Sequence, residues 1–326
     1  MSNSHSGLQL WFDGEFLPSD AGMVHLRTHS LHYGLGVFEG IRAYELTGGG
    51  TAVFRLDDHL KRLDGSARIL EINLPYDLQT LKEVTLELIR RNQHPACYIR
   101  PIAFLGAGAM GVYPKDNPVQ VAVMTWPWGA YLGEEALSKG IRCKISSYVR
   151  HHPNAALLKA KATGNYINSV LAKREAVRLG YEESIMLDVH GNVAEGTGEN
   201  LFIVRDGKLI TPPLNSVLQG LTRETIMKLA VSEGLEVYDR FFTRDELYLA
   251  EEAFLTGTAA EVTPIREIDD RVVGEGRPGP ITLRLQKRYF QVIRGERPEW
   301  ENWLEPVTAS SETEATKREA ESLQTN

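Results

Sequence analysis

The chain has 326 residues, of which 42% are hydrophobic and 24% charged, with a formal net charge of −7. That length accommodates two domains with a core each, and the acidic balance excludes nucleic acid as the main partner, because binding a phosphate backbone needs a net basic face. Met1 to Leu10 is polar, without the apolar centre of a signal peptide, and no apolar run reaches membrane-spanning length, so a cytoplasmic protein with no membrane partner is expected.

Leu10 to Phe16 reads as a hairpin turning at Asp13-Gly14. Val53 to Arg55 reads as a strand, after which Asp57 or Asp58 caps a helix with apolar positions Leu60, Leu63, Ala67 and Leu70. Leu81, Val84, Leu88 and Ile89 mark a second helix. Cys97 to Leu105 and Val119 to Met124 read as strands, and the Trp-, Pro- and Gly-rich stretch from Trp126 to Gly133 as a crossing between two domains.

Ile141 to Val149 is an expected strand. Asn165 to Leu179 is an amphipathic helix with Ile167, Val170, Leu171 and Val177 expected inward and Gly180 at its end. Strands are expected over Ser184 to Val189, Leu201 to Val204 and Lys208 to Thr211, the last two joined at Asp206-Gly207. A helix over Thr222 to Ser232 follows, then strands Ala253 to Leu255 and Glu261 to Ile265. There is no internal repeat, and helices and strands mix without βαβ alternation, which predicts an α+β fold.

Cys97 and Cys143 are the only cysteines and form no CxxC pair, so neither a metal site nor a disulfide is expected, only two buried reduced thiols. Gly106, Gly108 and Gly111 spell GxGxxG after a strand. A dinucleotide site needs a helix to open there, and Pro114 and Pro118 among turn residues forbid it.

Three segments carry chemistry if they converge. Lys159-Ala160-Lys161-Ala162-Thr163-Gly164-Asn165-Tyr166 sets two lysines among small residues. A lysine desolvated there favours its neutral form and becomes a nucleophile or base, and the residues alone do not choose between Lys159 and Lys161. Glu195-Gly196-Thr197-Gly198-Glu199-Asn200 offers a carboxylate on a Gly-rich loop. Gly220-Leu221-Thr222-Arg223-Glu224 opens a helix whose first N–H groups could hold a phosphate, and Thr256-Gly257-Thr258 is a second hydroxyl-bearing turn. Singly, each is as well read as solvated lysines, an ordinary connection or a plain helix cap. Together they match pyridoxal 5'-phosphate, which needs an imine-forming lysine, a carboxylate at its ring nitrogen and donors for its phosphate.

With His32-Tyr33-Gly34, Val37 to Arg42, Tyr98 to Pro101, Pro127 to Leu132, Lys161 to Tyr166, Glu195 to Phe202 and Gly257 to Glu261 in this order, the sequence resembles the fold-type IV aminotransferases, and among them the branched-chain amino acid aminotransferases, from about Leu10 to about Trp303. The resemblance implies a two-domain fold like that of D-amino acid aminotransferases: a smaller α+β domain over 1–127, an interdomain loop over 128–137, a larger β-rich domain over 138–306 and a flexible polar tail over 307–326. It implies that Lys161, not Lys159, bonds the cofactor, that Tyr166 meets the cofactor's phenolic oxygen and Glu195 its ring nitrogen, and that Arg62, Leu221, Thr222 and Thr258 hold its phosphate. For the substrates it implies an apolar wall of Tyr33, Phe38, Trp128 and Tyr131 beside Gly40, with Tyr98 and Arg100 serving carboxylates and the Thr258-Ala259 amides the α-carboxylate.

The implied reaction is ping-pong transamination of L-leucine, L-isoleucine and L-valine with 2-oxoglutarate, giving L-glutamate, by a homodimer or homohexamer. D-amino acid aminotransferases, amine transaminases and aminodeoxychorismate lyases share the lysine and glutamate, and a non-catalytic phosphate-ligand module is a reading of another class.

Overall fold

The computed structural model describes residues 7–129 and 132–307, so Tyr131 and nearly all of the expected tail lie outside the described residues. The first part of the chain forms β1 (Gln9–Phe12), β2 (Glu15–Pro18), α1 (His29–Tyr33), β3 (Gly36–Phe38), β4 (Ile41–Glu45), β5 (Thr51–Phe54), α2 (Leu56–Ile69), α3 (Leu78–Asn92), β6 (Cys97–Leu105) and β7 (Val119–Trp126). After α4 (Glu134–Lys139) come β8 (Ile141–Ile145), α5 (Tyr166–Arg178), β9 (Glu183–Leu187), β10 (Val193–Gly196), β11 (Asn200–Arg205), β12 (Lys208–Thr211), α6 (Leu221–Ser232), β13 (Val237–Asp239), α7 (Arg244–Tyr248), β14 (Glu252–Gly257), β15 (Glu261–Ile268), β16 (Arg271–Val272), α8 (Pro280–Ile293) and β17 (Leu304–Pro306).

Two sheets result, in the α+β arrangement the residue pattern predicts. The first runs β17-β5-β4-β6-β7-β1-β2, with β3 on β6. Its hairpin turns at Asp13 and Gly14, both at positive φ, as a two-residue turn requires. Leu56, Leu60, Leu63 and Ala67 of α2 recur at helical spacing and, with Leu81, Leu88 and Ile89 of α3, bury against Val53, Ile99, Val121 and Val123 of the sheet. The second sheet runs β10-β9-β8-β15-β14-β11-β12-β13, and a further β10–β11 pairing closes its first six strands on themselves. Phe202 and Phe254 stack at 5.1 Å beside Leu229 and Leu285, joining this sheet to α6 and α8.

Several expectations are corrected. Neither aspartate caps α2: Arg55, at φ 54, is its N-cap, and Asp57 and Asp58 lie in the first turn, where their charge complements the helix dipole. Thr222 does not cap α6 either; Gly220 does. The strand expected to reach Val149 ends at Ile145. Within the expected interdomain loop, α4 forms a short helix. β17, placed by sequence in the second domain, pairs antiparallel with β5 of the first sheet.

The largest reversal is α5. Ile167 is 68% exposed and Val177 58%, with Val170 and Leu171 also exposed, whereas the buried face is Ser169, Ala172 and Ala176. Small side chains let this helix approach β9 closely, where the Ser184 hydroxyl donates to the Ala172 carbonyl at 2.9 Å. No helix among the described residues is long and apolar enough to cross a membrane.

Candidate active site

Lys161 is fixed by its backbone before its side chain does anything. Its N–H donates to the Ser66 hydroxyl at 3.0 Å, its carbonyl accepts the Phe38 N–H at 3.1 Å, and Ala162 bridges to Val37. The next residues lock to the end of α1, just before the same strand: Gly164 N–H and the Thr163 hydroxyl donate to the Gly34 carbonyl at 3.1 and 2.7 Å. This approach needs glycine on both sides, because a Cβ on Gly34 would lie 3.1 Å from Gly164 Cα and one on Gly164 3.1 Å from the Gly34 carbonyl oxygen. Held this way, Lys161 Nζ lies 2.7 Å from the Tyr166 hydroxyl and 5.0 Å from the Phe38 ring centroid. Lys159 points elsewhere, its Nζ 3.4 Å from the Val217 carbonyl in a neighbouring cleft. The geometry thus separates two lysines that the residues alone leave equivalent.

Across the same cavity, of about 250 Å³, lies Glu195 on β10. Its Oε1 is 2.7 Å from Arg150 Nη2, and its Oε2 accepts from the Leu218 N–H at 3.1 Å and Asn200 Nδ2 at 3.3 Å. Burial pushes the Glu195 carboxyl above its ordinary range, with Arg150, the Leu218 N–H and Lys161 opposing. Glu199, four residues on, is pushed up to about 8 by burial and then by Glu183. Glu183 accepts from Lys173 at 2.7 Å, the Thr197 hydroxyl at 2.8 Å and the Ser184 N–H at 2.7 Å.

A third group of donors closes the cavity at α6. Gly220 caps that helix without a side chain, and a Cβ there would lie 1.8 Å from Asn200 Oδ1, so packing demands glycine and leaves the first helical N–H groups for a ligand. Arg62 stands beside them. Its Nε and Nη2 grip Glu39 at 2.7 and 2.8 Å and its Nη1 donates to the Gln219 carbonyl at 2.8 Å, which leaves two of its five N–H groups unspent. Burial raises the Glu39 pKa, but Arg62 and His59 outweigh it and hold the carboxyl well below the usual carboxylate range, so Arg62 keeps its anchor throughout neutral pH. The Thr256 hydroxyl, also on this cavity, is buried and has no hydrogen-bond partner among the described residues. An anion-receptive helix end, spare guanidinium donors and an orphan hydroxyl fit a phosphate, and a lysine amine opposite a carboxylate fits an aldehyde-bearing pyridine.

The remaining wall is formed by Phe38, Gly40, Tyr98, Arg100, Trp128, Thr258 and Ala259. Tyr98 packs 4.8 Å from Trp128 and 5.2 Å from Trp126, and Arg100 stacks on Phe38 at 4.6 Å. Tyr33 is not brought to this wall. It ends α1 at the surface, 45% exposed and stacked on His29 at 4.5 Å. Tyr131 lies outside the described residues. Sequence reasoning missed Arg150, Asn200 and the buried Glu199; Arg150 heads an Arg-His-His run five residues past the end of β8, an available but nonspecific signal.

A two-sheet fold with one lysine offered to a cleft between the sheets is that of a fold-type IV enzyme. The model of the amino-transferase class IV family matches residues 36–268. The branched-chain-amino-acid aminotransferase of Pseudomonas aeruginosa is 48% identical over 294 residues, covering 90% of this chain and 95% of that one, and the enzyme of the same name from Escherichia coli K12 is 46% identical over 300 residues, covering 91% and 97%. Among solved structures, the Escherichia coli branched-chain amino acid aminotransferase superposes with a TM-score of 0.91 at 45% identity, covering 93% of this chain and 100% of that one. The branched-chain amino acid aminotransferase of Thermobaculum terrenum, in its PLP-bound holo form, superposes with a TM-score of 0.87 at 37% identity, covering 94% and 100%. This chain belongs to the class IV aminotransferases.

Proposed function

We propose that the protein uses pyridoxal 5'-phosphate to transfer the amino group of L-leucine, L-isoleucine and L-valine to 2-oxoglutarate, giving branched 2-oxo acids and L-glutamate in a ping-pong cycle. The observation that carries the reading is the Lys161 amine, 2.7 Å from the Tyr166 hydroxyl on a cavity shared with Glu195 and the start of α6. The names of the similar proteins support the choice of substrates.

When bound, the cofactor supplies an electrophilic carbonyl and a ring that draws electron density from the substrate's α-carbon. Arg62, the Leu221 and Thr222 N–H groups and Thr258 would hold its phosphate. Glu195 would keep its ring nitrogen protonated, with Arg150 holding the carboxylate ionised. Tyr166 would donate to its phenolic oxygen. Lys161, once free of the cofactor, would take the α-proton onto Nζ and hold it for return on the far side of the transferred nitrogen. Phe38, Tyr98 and Trp128 would exclude water from the branched side chain, and Arg100 would meet the second carboxylate of 2-oxoglutarate.

Self-association as a homodimer or homohexamer belongs to the same reading. Segments 23–33 and 106–113 are joined by His29 Nε2 to the Gly111 carbonyl at 2.7 Å, and between them Met23, Leu26, Leu31, Met110, Val112 and Tyr113 are exposed. Tyr33 lies on this apolar surface, not in its own chain's cavity.

Borohydride reduction of the holoenzyme followed by peptide mass spectrometry tests the assignment, with the adduct expected on Lys161. An adduct on Lys159, or Lys161→Ala remaining active while Lys159→Ala is dead, overturns it. Profiling with L-leucine, D-alanine, a primary amine and aminodeoxychorismate separates the branched-chain reading from the other activities of this fold, and a colourless protein without adduct leaves the non-catalytic binding module.

A further inference from the structure

Away from the lysine, one buried cation touches three parts of the molecule. Arg42, on β4 of the first sheet, is 8% exposed. Its Nη2 donates to the Trp128 carbonyl at 3.1 Å, in the connection between the sheets. Its Nη1 lies 3.1 Å from Glu261 Oε1, at the first position of β15 in the second sheet. Glu261 pairs in register with Gly257, so it closes the Thr258–Ala259–Ala260 turn, and it does so at φ 55, a left-handed conformation uncommon for a side chain without local hydrogen bonding. The Thr263 hydroxyl braces the same turn by donating to the Ala260 carbonyl at 2.7 Å.

We propose that the Arg42–Glu261 pair positions the substrate half of the cleft, holding Trp128 and the Thr258–Ala259 turn at a fixed separation across the domain junction. The Trp128 ring packs on Tyr98, whose hydroxyl stands over Gly40, so a shift of the Trp128 backbone moves the wall that meets a substrate side chain. A shift of the turn moves the Ala259 amide on the opposite wall. Neither touches Lys161, Glu195 or the start of α6. A buried pair of this kind contributes little net stability compared with apolar residues of the same shape, and here Arg42 Nε and Nη1 are both buried with no hydrogen-bond partner among the described residues, so the Glu261 contact is an ion pair at 3.1 Å without hydrogen-bond geometry, a further cost. Its worth is therefore geometric: one rigid guanidinium fork reaching a carbonyl and a carboxylate that belong to different parts of the chain.

The inference rests on the proposed transamination and is tested on holoenzyme with L-leucine and 2-oxoglutarate. Arg42→Met is expected to raise KM for both substrates roughly tenfold or more with kcat changed by less than about threefold, the signature of lost uniform binding. The visible absorbance of bound cofactor should persist, because, of the proposed cofactor contacts, only Thr258 lies on the turn that moves. Arg42→Lys, which keeps a charge for Glu261 but not the fork to Trp128, should recover part of the affinity. Glu261→Gln, close in shape, should show the same KM-led defect and serves if Arg42→Met does not fold. Unchanged KM in both Arg42→Lys and Glu261→Gln, or a fall in kcat alone, overturns the positioning role while leaving the lysine assignment intact. A wild-type protein that forms no cofactor adduct removes the proposed function instead.

Discussion

Arg150 Nη2 and Glu195 Oε1 lie 2.7 Å apart, with both side chains about 8% exposed, so the nearest counter-charge to this carboxyl is one buried guanidinium shielded from solvent. Burial works against its ionisation and Arg150 works for it. Arg150→Met should therefore drive the carboxyl further up and weaken its hold on a protonated ring nitrogen. Turnover is expected to fall about 10²-fold or more, the scale on which removing one preorganised electrostatic partner acts. Glu195→Gln should produce a comparable fall while the cofactor stays bound. Spectra and single-turnover rates measured together decide this: unchanged rates in Glu195→Gln would rule out its role at the ring nitrogen.

Glu199 predicts a pH dependence of stability. Its folded pKa, about 8, lies above its unfolded value, so it favours the folded state below the unfolded pKa and loses that contribution as pH rises through about 8. Glu199→Gln mimics the neutral acid. Melting temperatures of cofactor-free wild type and variant should agree near pH 5 and diverge in the variant's favour near pH 9. Parallel curves across that range would show that Glu199 is already ionised in the fold.

How much of this was legible beforehand depends on the scale of the signal. The Asp206-Gly207 hairpin and the helical spacing from Leu60 to Ala67 are local patterns, and both appear as read. Lys161 could be singled out by resemblance, but its separation from Lys159 is made by the Gly34–Gly164 contact, between residues far apart in the chain. The exposed face of α5 defeated the periodic rule for a physical reason. Apolar residues at helical spacing report that a face is buried, not by what, and within this chain the intimate contact belongs to Ser169, Ala172 and Ala176. That Arg150 pairs with Glu195, and Arg42 with Glu261, could not be read from the sequence, because each pair joins segments far apart along the chain.

The Gly34–Gly164 contact is itself testable. Gly34 sits at φ 71 and its added Cβ would press on Gly164 Cα. Gly34→Ala should cost about 1–2 kcal/mol for the left-handed backbone alone, and more for the contact. Because Thr163 and Gly164 both donate to the Gly34 carbonyl, the strain falls on the segment that carries Lys161. Cofactor retention during dialysis should drop further than global stability measured by denaturant. Equal retention with a lowered midpoint would show that the contact serves folding only.

The two cysteines should be unreactive. Burial pushes the Cys97 thiol up to about 12, against the opposing charge of Arg42, and carries Cys143 well above its ordinary value. Both are free and buried. A thiol-specific reagent at pH 8 should titrate neither in the native protein and both after denaturation. Fast labelling of Cys97 alone would mean that the first sheet opens beside Arg42.

Gly40 offers the sharpest steric test of the substrate wall. A Cβ there would fall 2.0 Å from the Tyr98 hydroxyl. Tyr98 cannot simply rotate away, because its ring packs against both Trp126 and Trp128 and its hydroxyl accepts from Arg100 Nη2 at 3.3 Å. Gly40→Ala must therefore push the phenol toward the cavity and narrow the space for a branched side chain. kcat/KM for L-leucine should fall by about tenfold to a hundredfold, the range set by about 1–3 kcal/mol of misfit in an apolar pocket. A substrate with a smaller side chain should lose less, since it leaves room for the displaced ring. If L-leucine and a linear, shorter amino acid lose equally, Tyr98 has moved somewhere other than the substrate space, and the wall assigned to Gly40 and Tyr98 is wrong.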